Sequence, residues 1–288
     1  MTKANSTHYY SNEEVRAFSQ FINSRLKDDP SLSHLLPLNH EKHDAFFAAF
    51  KDGVLLCKLI NIISPGSINP NHITKSDNLI FQVQNLNTAL AAAKGLRINL
   101  TNIGAEDISS GTRHIILGAL WQVIKYGLLK TINLVDHPEL AHLLSKGEDT
   151  RSFAALEADK VILRWFNHNL TSAGHNRQVN NFSSDILDGQ NYLVLMSHIA
   201  PQIVPKQVLA EQEPQKRAQL VCEYAAKMGI EPFVTPRDIL AGNPNLNLAF
   251  TADMFNKYPA LAASQYDASE AQAIEEGKRR LEQEFRER

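Results

Sequence analysis

The feature that most constrains the fold of this 288-residue chain is an internal repeat. Each half carries an Asp-Gly pair and, further on, an Asp-Ile-x-x-Gly sequence: Asp52-Gly53 and 107–111 in the first half, Asp188-Gly189 and 238–242 in the second. Each Asp-Gly pair precedes a mostly apolar segment that ends at a proline. Matched landmarks in the same order, at nearly equal spacing, are typical of duplicated structural units. The sequence therefore predicts two homologous domains in tandem.

The apolar residues recur at three- and four-residue steps, which indicates helices. Residues 111–130 are apolar nearly all round, as expected for a central helix that neighbours bury on several sides. We expect Trp121 and Trp165 to belong to the cores of their domains. Alternating strand patterns are not seen, so each repeat should be a bundle of four main helices without a sheet.

The predicted fold class is all-α, with two helical domains packed together and a charged helix at the C-terminus. Residues 268–288 carry charges at i,i+4 spacing, with Ile274, Leu281 and Phe285 as their larger apolar positions. The expected segments, in chain order, are an N-terminal extension (1–10), a first domain (11–130), a connector (131–150), a second domain (151–262) and a charged helical tail or linker (263–288).

Charge and composition exclude several classes of protein. The net charge is −2, so the chain as a whole is not a general binder of nucleic acid. Residues 1–130 carry 13 basic and 10 acidic residues, whereas residues 131–267 carry 11 and 15, so the first half suits an acidic partner better. No apolar run is long enough for stable membrane insertion. Cys57 and Cys222 lie in apolar helical patterns and are expected to be free thiols in a cytoplasmic protein.

Motifs of catalysis and of cofactor binding are absent from the sequence. There is no phosphate-binding glycine loop, nucleophile elbow, zinc-protease motif or calcium loop. His34, His40 and His43 could hold a metal, but solvated loop histidines are the simpler interpretation. Asp107 and Asp238 occupy equivalent repeat positions, which favours a capping role over catalysis. We therefore expect no enzyme activity, no cofactor and no metal.

The motifs resemble those of tandem calponin-homology domains. Residues 52–61, 102–107 and 117–125 are similar to a type 1 domain, and residues 188–201 and 233–261 to the type 2 domain that follows it. Residues 102–107 and 242–261 resemble fimbrin (plastin) more than α-actinin or spectrin. The resemblance implies an actin-filament-binding module that contributes to filament crosslinking, bundling and cytoskeleton organisation.

The chain departs from the fimbrin pattern in two respects. It begins too close to the first domain for calcium loops, and it holds one domain pair where fimbrins carry two. We therefore expect a monomer that decorates filaments in the cytoplasmic actin cytoskeleton without bundling them strongly.

The same resemblance places actin contacts on the polar faces of three helices, within 11–27, 112–130 and 160–171. Carried over to this sequence, the expected contact residues are Arg16, Gln20, Asn23, Lys27, His114, Gln122, Lys125, Arg164 and His168. Two other functions stay open. One is a calponin-homology scaffold that binds microtubules or signalling proteins, and the other is an enzyme with a site between the repeats.

Overall fold

The computed structural model describes residues 10–261, together with Arg279 and Gln283. The described residues form helices, turns and loops, without a strand. Within residues 10–261 the α-helices are α1 (Asn12–Leu26), α2 (His43–Ala48), α3 (Val54–Ile63), α4 (Leu79–Gly95), α5 (Ala105–Ser109), α6 (Arg113–Leu129), α7 (Thr150–Ala154), α8 (Ala158–Ser172), α9 (Gln190–Ile199), α10 (Pro214–Lys227), α11 (Pro236–Ala241) and α12 (Pro244–Lys257). Five 3₁₀ helices lie at Pro30–Leu32, Pro70–His72, Pro138–Leu143, Ser184–Ile186 and Lys206–Ala210.

The chain divides into two compact units, 1–127 and 128–288. Four main helices of the first unit, α1, α3, α4 and α6, correspond in order to α8, α9, α10 and α12 of the second. Two all-helical domains in tandem are therefore confirmed.

The two Asp-Gly pairs make the same turn in both domains. Gly53 and Gly189 have positive φ angles of 75° and 70°, and each immediately precedes a ten-residue helix. The turn lies against a neighbouring helix, because a Cβ on Gly53 would stand 2.7 Å from the backbone nitrogen of Leu86. A residue without a Cβ is required where the backbone is left-handed and another backbone approaches this closely.

The repeated aspartates are caps, as expected. Asp238 accepts hydrogen bonds from the backbone N and the hydroxyl of Thr235, both at 2.7 Å, and is buried at the start of α11. Asp107 accepts from Gly104 N at 3.2 Å at the start of α5, where it is exposed. Each carboxylate accepts from the backbone N–H of the N-cap residue, and the Thr235 hydroxyl, which accepts from Asp238 N, completes a capping box in the second domain, whereas Gly104 has no side chain to do so.

The two domains differ in how far their last main helix is buried. In α12 every residue from position 246 to 255 is buried. In α6 about half of the helix circumference is buried, and the other side, which includes Trp121, is only half-buried although its residues are largely apolar. Trp165 is fully buried as expected, and its indole N–H donates to Pro259 O at 2.6 Å.

Several expectations concern segments with little or no description. Ile274, Leu281 and Phe285 lie outside the described residues, whereas Arg279 and Gln283 are helical and exposed. The connector contains the 3₁₀ helix Pro138–Leu143, which packs on α8 within the second unit. The segment boundaries and the packing of the two domains stay predictions.

Candidate interaction surface

Two helices of the first domain lie side by side and are joined at two levels. Phe18 of α1 stacks on Trp121 of α6, with ring centroids 6.3 Å apart and planes 6° from parallel. Eight residues earlier in each of the two segments, Arg113 Nη1 donates to the Tyr10 hydroxyl at 2.8 Å. The two contacts are therefore eight residues apart in both segments. We call this pair of helices the α1–α6 seam.

The contact at the start of the seam is a small cluster of five side chains. The Arg113 guanidinium lies over the rings of Tyr10 and Phe47, at 5.2 and 5.4 Å from their centroids, and also pairs with Asp44. The Tyr10 hydroxyl is 2.8 Å from Nδ1 of His43. The interpretation of His43 as a solvated loop histidine is therefore wrong: the ring is half-buried in the first turn of α2.

The expected contact residues of α1 differ in how their side chains are used. Arg16 and Gln20 are half-buried and bonded to each other, with Arg16 Nη1 donating to Gln20 Oε1 at 2.8 Å. Lys27 is exposed at the C-cap of the helix. The amide of Asn23 instead clamps the following loop, because it donates to Leu38 O at 3.0 Å and accepts from Leu38 N at 2.7 Å. Asn23 therefore has a structural role.

The expected contact residues of α6 lie beside the half-buried face of the helix. His114 is exposed in the first turn, and Gln122 and Lys125 are half-buried. Gln122 follows Trp121 directly, so an aromatic ring and polar groups reach the surface together along the seam. Such a mixture of an apolar ring and polar side chains is typical of protein interaction surfaces.

The two expected residues of α8 belong to the second domain. Arg164 is held internally, since Nη1 donates to Glu148 Oε2 at 2.5 Å and the guanidinium lies over the Phe153 ring. His168 is exposed. Partial burial, and then the charges of His142 and His198, lower the pKa of His168 below its ordinary value. The uncharged ring is therefore favoured near neutral pH.

The structural role of Asn23 has a counterpart in the second domain. Asn167 of α8 donates to Val179 O at 2.8 Å and accepts from Val179 N at 2.7 Å, which is the same clamp on the following loop. The sequence does carry this signal. Both asparagines precede a leucine by three positions, in Phe-Ile-Asn-Ser-Arg-Leu and Trp-Phe-Asn-His-Asn-Leu. A residue that occurs at the same position in both domains is expected to have a structural role. This argument indicated that Asp107 and Asp238 are caps, and it holds for Asn23 and Asn167 as well.

The described residues provide binding surface and no recognisable site for metal chemistry. Among them, no group of three or more His, Cys, Asp or Glu side chains could hold a metal ion. Burial, and then the charge of Asp52, raise the pKa of the Cys57 thiol to about 12, so this thiol stays protonated. In the part of the chain that the structure describes, each helix is too short or too polar to span a membrane.

Comparison with known proteins gives one family over both domains. The calponin homology (CH) domain matches residues 12–128 and 156–260. Human plastin-3 is 39% identical over 296 residues, covering 99% of this chain and 46% of plastin-3. Fimbrin of Dictyostelium discoideum is 42% identical over 263 residues, covering 90% of this chain and 43% of that protein.

One solved structure is similar over most of the chain. It is the crystal structure of the actin-crosslinking core of Schizosaccharomyces pombe fimbrin, with a TM-score of 0.76 and 36% identity. The match covers 88% of this chain and 52% of that structure. The chain therefore spans about half the length of the relatives it matches.

Proposed function

We infer that this chain, which belongs to the calponin homology family as a tandem pair of the plastin and fimbrin type, binds actin filaments. The observation that carries the proposal is the match to the fimbrin actin-crosslinking core, at 36% identity over 88% of the chain. A similarity of fold alone would be weak support, since one fold serves many functions. Here identity near 40% with plastins and fimbrin extends over both domains.

The first domain supplies the main contact in this proposal. The α1–α6 seam presents Trp121 with Gln122 and Lys125 of α6, whereas Arg16 and Gln20 lie on the polar face of α1, nearly opposite Phe18. The chain as a whole has a net charge of −2, but residues 1–130 carry 13 basic and 10 acidic residues, so this half favours an acidic partner. Such a charge difference favours encounter with the filament and makes binding sensitive to salt.

Exposed residues of each domain are further candidates for contact. They are Lys27 and His114 in the first domain and, separately, His168 in the second. Asn23 and Arg164 are assigned lesser roles because their polar atoms already hold a loop and the connector. Their substitution would act through the local fold.

The module acts by binding rather than by catalysis. The named relatives, plastins and fimbrin, support this assignment, as does the description of the fimbrin structure as an actin-crosslinking core. The chain acts on the cytoplasmic actin cytoskeleton. Crosslinking needs two filament sites per particle, and this chain contains one tandem pair. We therefore propose a monomer that decorates filaments and bundles them only weakly.

Sedimentation with filaments tests the proposal. At high speed the chain should pellet with filamentous actin in a saturable way and stay in solution with microtubules. At low speed little actin should pellet. Binding to microtubules but not to actin would favour the alternative of a microtubule or signalling scaffold. Heavy bundling by a dimeric chain would contradict the monomer.

A further inference from the structure

We propose that Arg113 is a positioning residue, which holds the entry of α1 against the first turn of α6 and so fixes the α1–α6 seam for binding. Arg113 is the first residue of α6, and Tyr10 lies next to Ser11, the N-cap of α1. The inference rests on the proposed actin binding, because the seam is its main contact surface.

One side chain joins three segments of the first domain. Arg113 hydrogen-bonds the Tyr10 hydroxyl before α1 and pairs with Asp44 of α2. Its guanidinium also lies over the rings of Tyr10 and Phe47. The planar, always charged guanidinium can donate in its plane while its faces lie on aromatic rings, which a lysine ammonium cannot do. The Tyr10 ring in turn packs edge-on against Phe47, with centroids 5.1 Å apart.

The ring contacts and the tyrosine bond matter more than the ion pair. The Asp44 side chain is 93% exposed and that of Arg113 is 40% exposed. Ion pairs at exposed positions contribute little, because water and salt screen them. Replacing Arg113 should therefore loosen the entry of α1 without unfolding the domain, whose core is formed by buried apolar residues.

The second domain lacks counterparts of both seam contacts, the Arg113–Tyr10 hydrogen bond and the Phe18–Trp121 stack. By the repeat, Arg113 corresponds to Pro244, the first residue of α12, and Trp121 corresponds to Ala252. Proline and alanine have no group that could bond or stack across to α8. Caps and clamps occur in both domains because both need them to fold. The two contacts between α1 and α6 occur only in the domain that we assign as the main binding surface.

The test compares Arg113→Gln, Arg113→Lys and Tyr10→Phe with the unmodified chain. Lys94→Gln, an exposed residue of α4, controls for the loss of one positive charge. Actin affinity is measured by co-sedimentation, and hydrogen exchange is followed at amides 12–16. We expect Arg113→Gln to weaken binding by about three- to tenfold, given one lost hydrogen bond and two lost cation–ring contacts, and to speed exchange at these amides.

The other variants separate positioning from direct contact. Arg113→Lys and Tyr10→Phe should weaken binding less than Arg113→Gln, and Lys94→Gln should bind normally. Tyr10→Phe combined with Arg113→Gln should bind no more weakly than Arg113→Gln alone, because both changes break the same contact.

Three results would overturn the inference. The first is normal binding by Arg113→Gln despite faster exchange, since the position of α1 would then not matter. The second is weaker binding by Arg113→Gln with unchanged hydrogen exchange at amides 12–16, together with additive effects of Arg113→Gln and Tyr10→Phe on affinity. That result would make Arg113 a direct contact. If the unmodified chain itself does not pellet with actin, the proposed function fails, and the positioning role for binding fails with it.

Discussion

The two tryptophans of the chain should differ in their contribution to stability, because only one of them lies in a closed core. Trp165 is fully buried in the second domain, donates to Pro259 O and meets Phe255 edge-on at 5.4 Å. Trp165→Ala would leave a closed cavity and an unpaired carbonyl, so we expect a loss of about 3–5 kcal/mol in the free energy of unfolding. Trp121 is half-buried and stacks on Phe18, and water can fill the space that it leaves.

The expected loss for Trp121→Ala follows from its partial burial. Most of the roughly 200 Å² of a tryptophan side chain is removed from water, which at about 25 cal/mol per Å² contributes about 3–4 kcal/mol. The loss should be somewhat smaller than for Trp165→Ala, because no closed cavity adds to it. A cavity inside a closed core lowers the free energy of unfolding more than a gap at the protein surface, which water can fill.

Urea unfolding followed by circular dichroism measures both losses. Each variant keeps one tryptophan, whose fluorescence reports on the domain that was not changed. The assignment of Trp165 to the core and of Trp121 to the α1–α6 seam would be refuted if both variants lost the same free energy of unfolding. It would also be refuted if Trp165→Ala lost less than about 1 kcal/mol. Trp121→Ala should also weaken actin binding, whereas Trp165→Phe should affect it only through stability.

Three further predictions concern the clamp, the turn and the pH response. Asn167→Ala should destabilise the second domain by about 1–3 kcal/mol in urea melts, because it leaves the backbone N–H and C=O of Val179 unpaired. Gly53→Ala should cost more than about 2 kcal/mol and Gly66→Ala only about 1 kcal/mol, since both have positive φ but only Gly53 is pressed against a backbone. Because the pKa of His168 is lowered in the folded state, the unfolded chain takes up the proton first, and thermal stability should fall as the pH drops below about 6.5. His168→Gln should flatten this dependence, and an unchanged slope would contradict the assignment.

Sequence reasoning succeeded where the deciding interactions are local. The Asp-Gly turns and the caps at Asp107 and Asp238 each depend on residues within a few positions of one another. The family resemblance likewise placed a helix at 160–171, close to the observed bounds of α8. The repeat itself added information that a single domain could not give, because it separated residues that both folds require from residues that one domain alone carries.

The expected surface was less accurate, because polarity does not tell how a side chain is used. Asn23 and Arg164 are polar residues of half-buried helix faces, as a contact residue would be. Their partners lie 15 and 16 residues away along the chain, so the helix pattern gives no sign of them. A polar group that is bonded within the domain and one that faces a partner have the same appearance in the sequence.

By itself the sequence determined that this protein is a tandem of two all-helical domains, because periodicity, turns and caps arise from neighbouring residues. Only the tertiary structure decided which face of α6 reaches the surface. The apolar pattern of that helix indicates burial on several sides without saying which side stays open, because burial depends on which helices stand beside it. Tyr10 and Arg113 are 103 residues apart, and their contact exists only because the folded chain brings α1 and α6 together. Local chemistry can be read along a chain, whereas the surfaces that bind are formed by residues that are distant in sequence and adjacent only after folding.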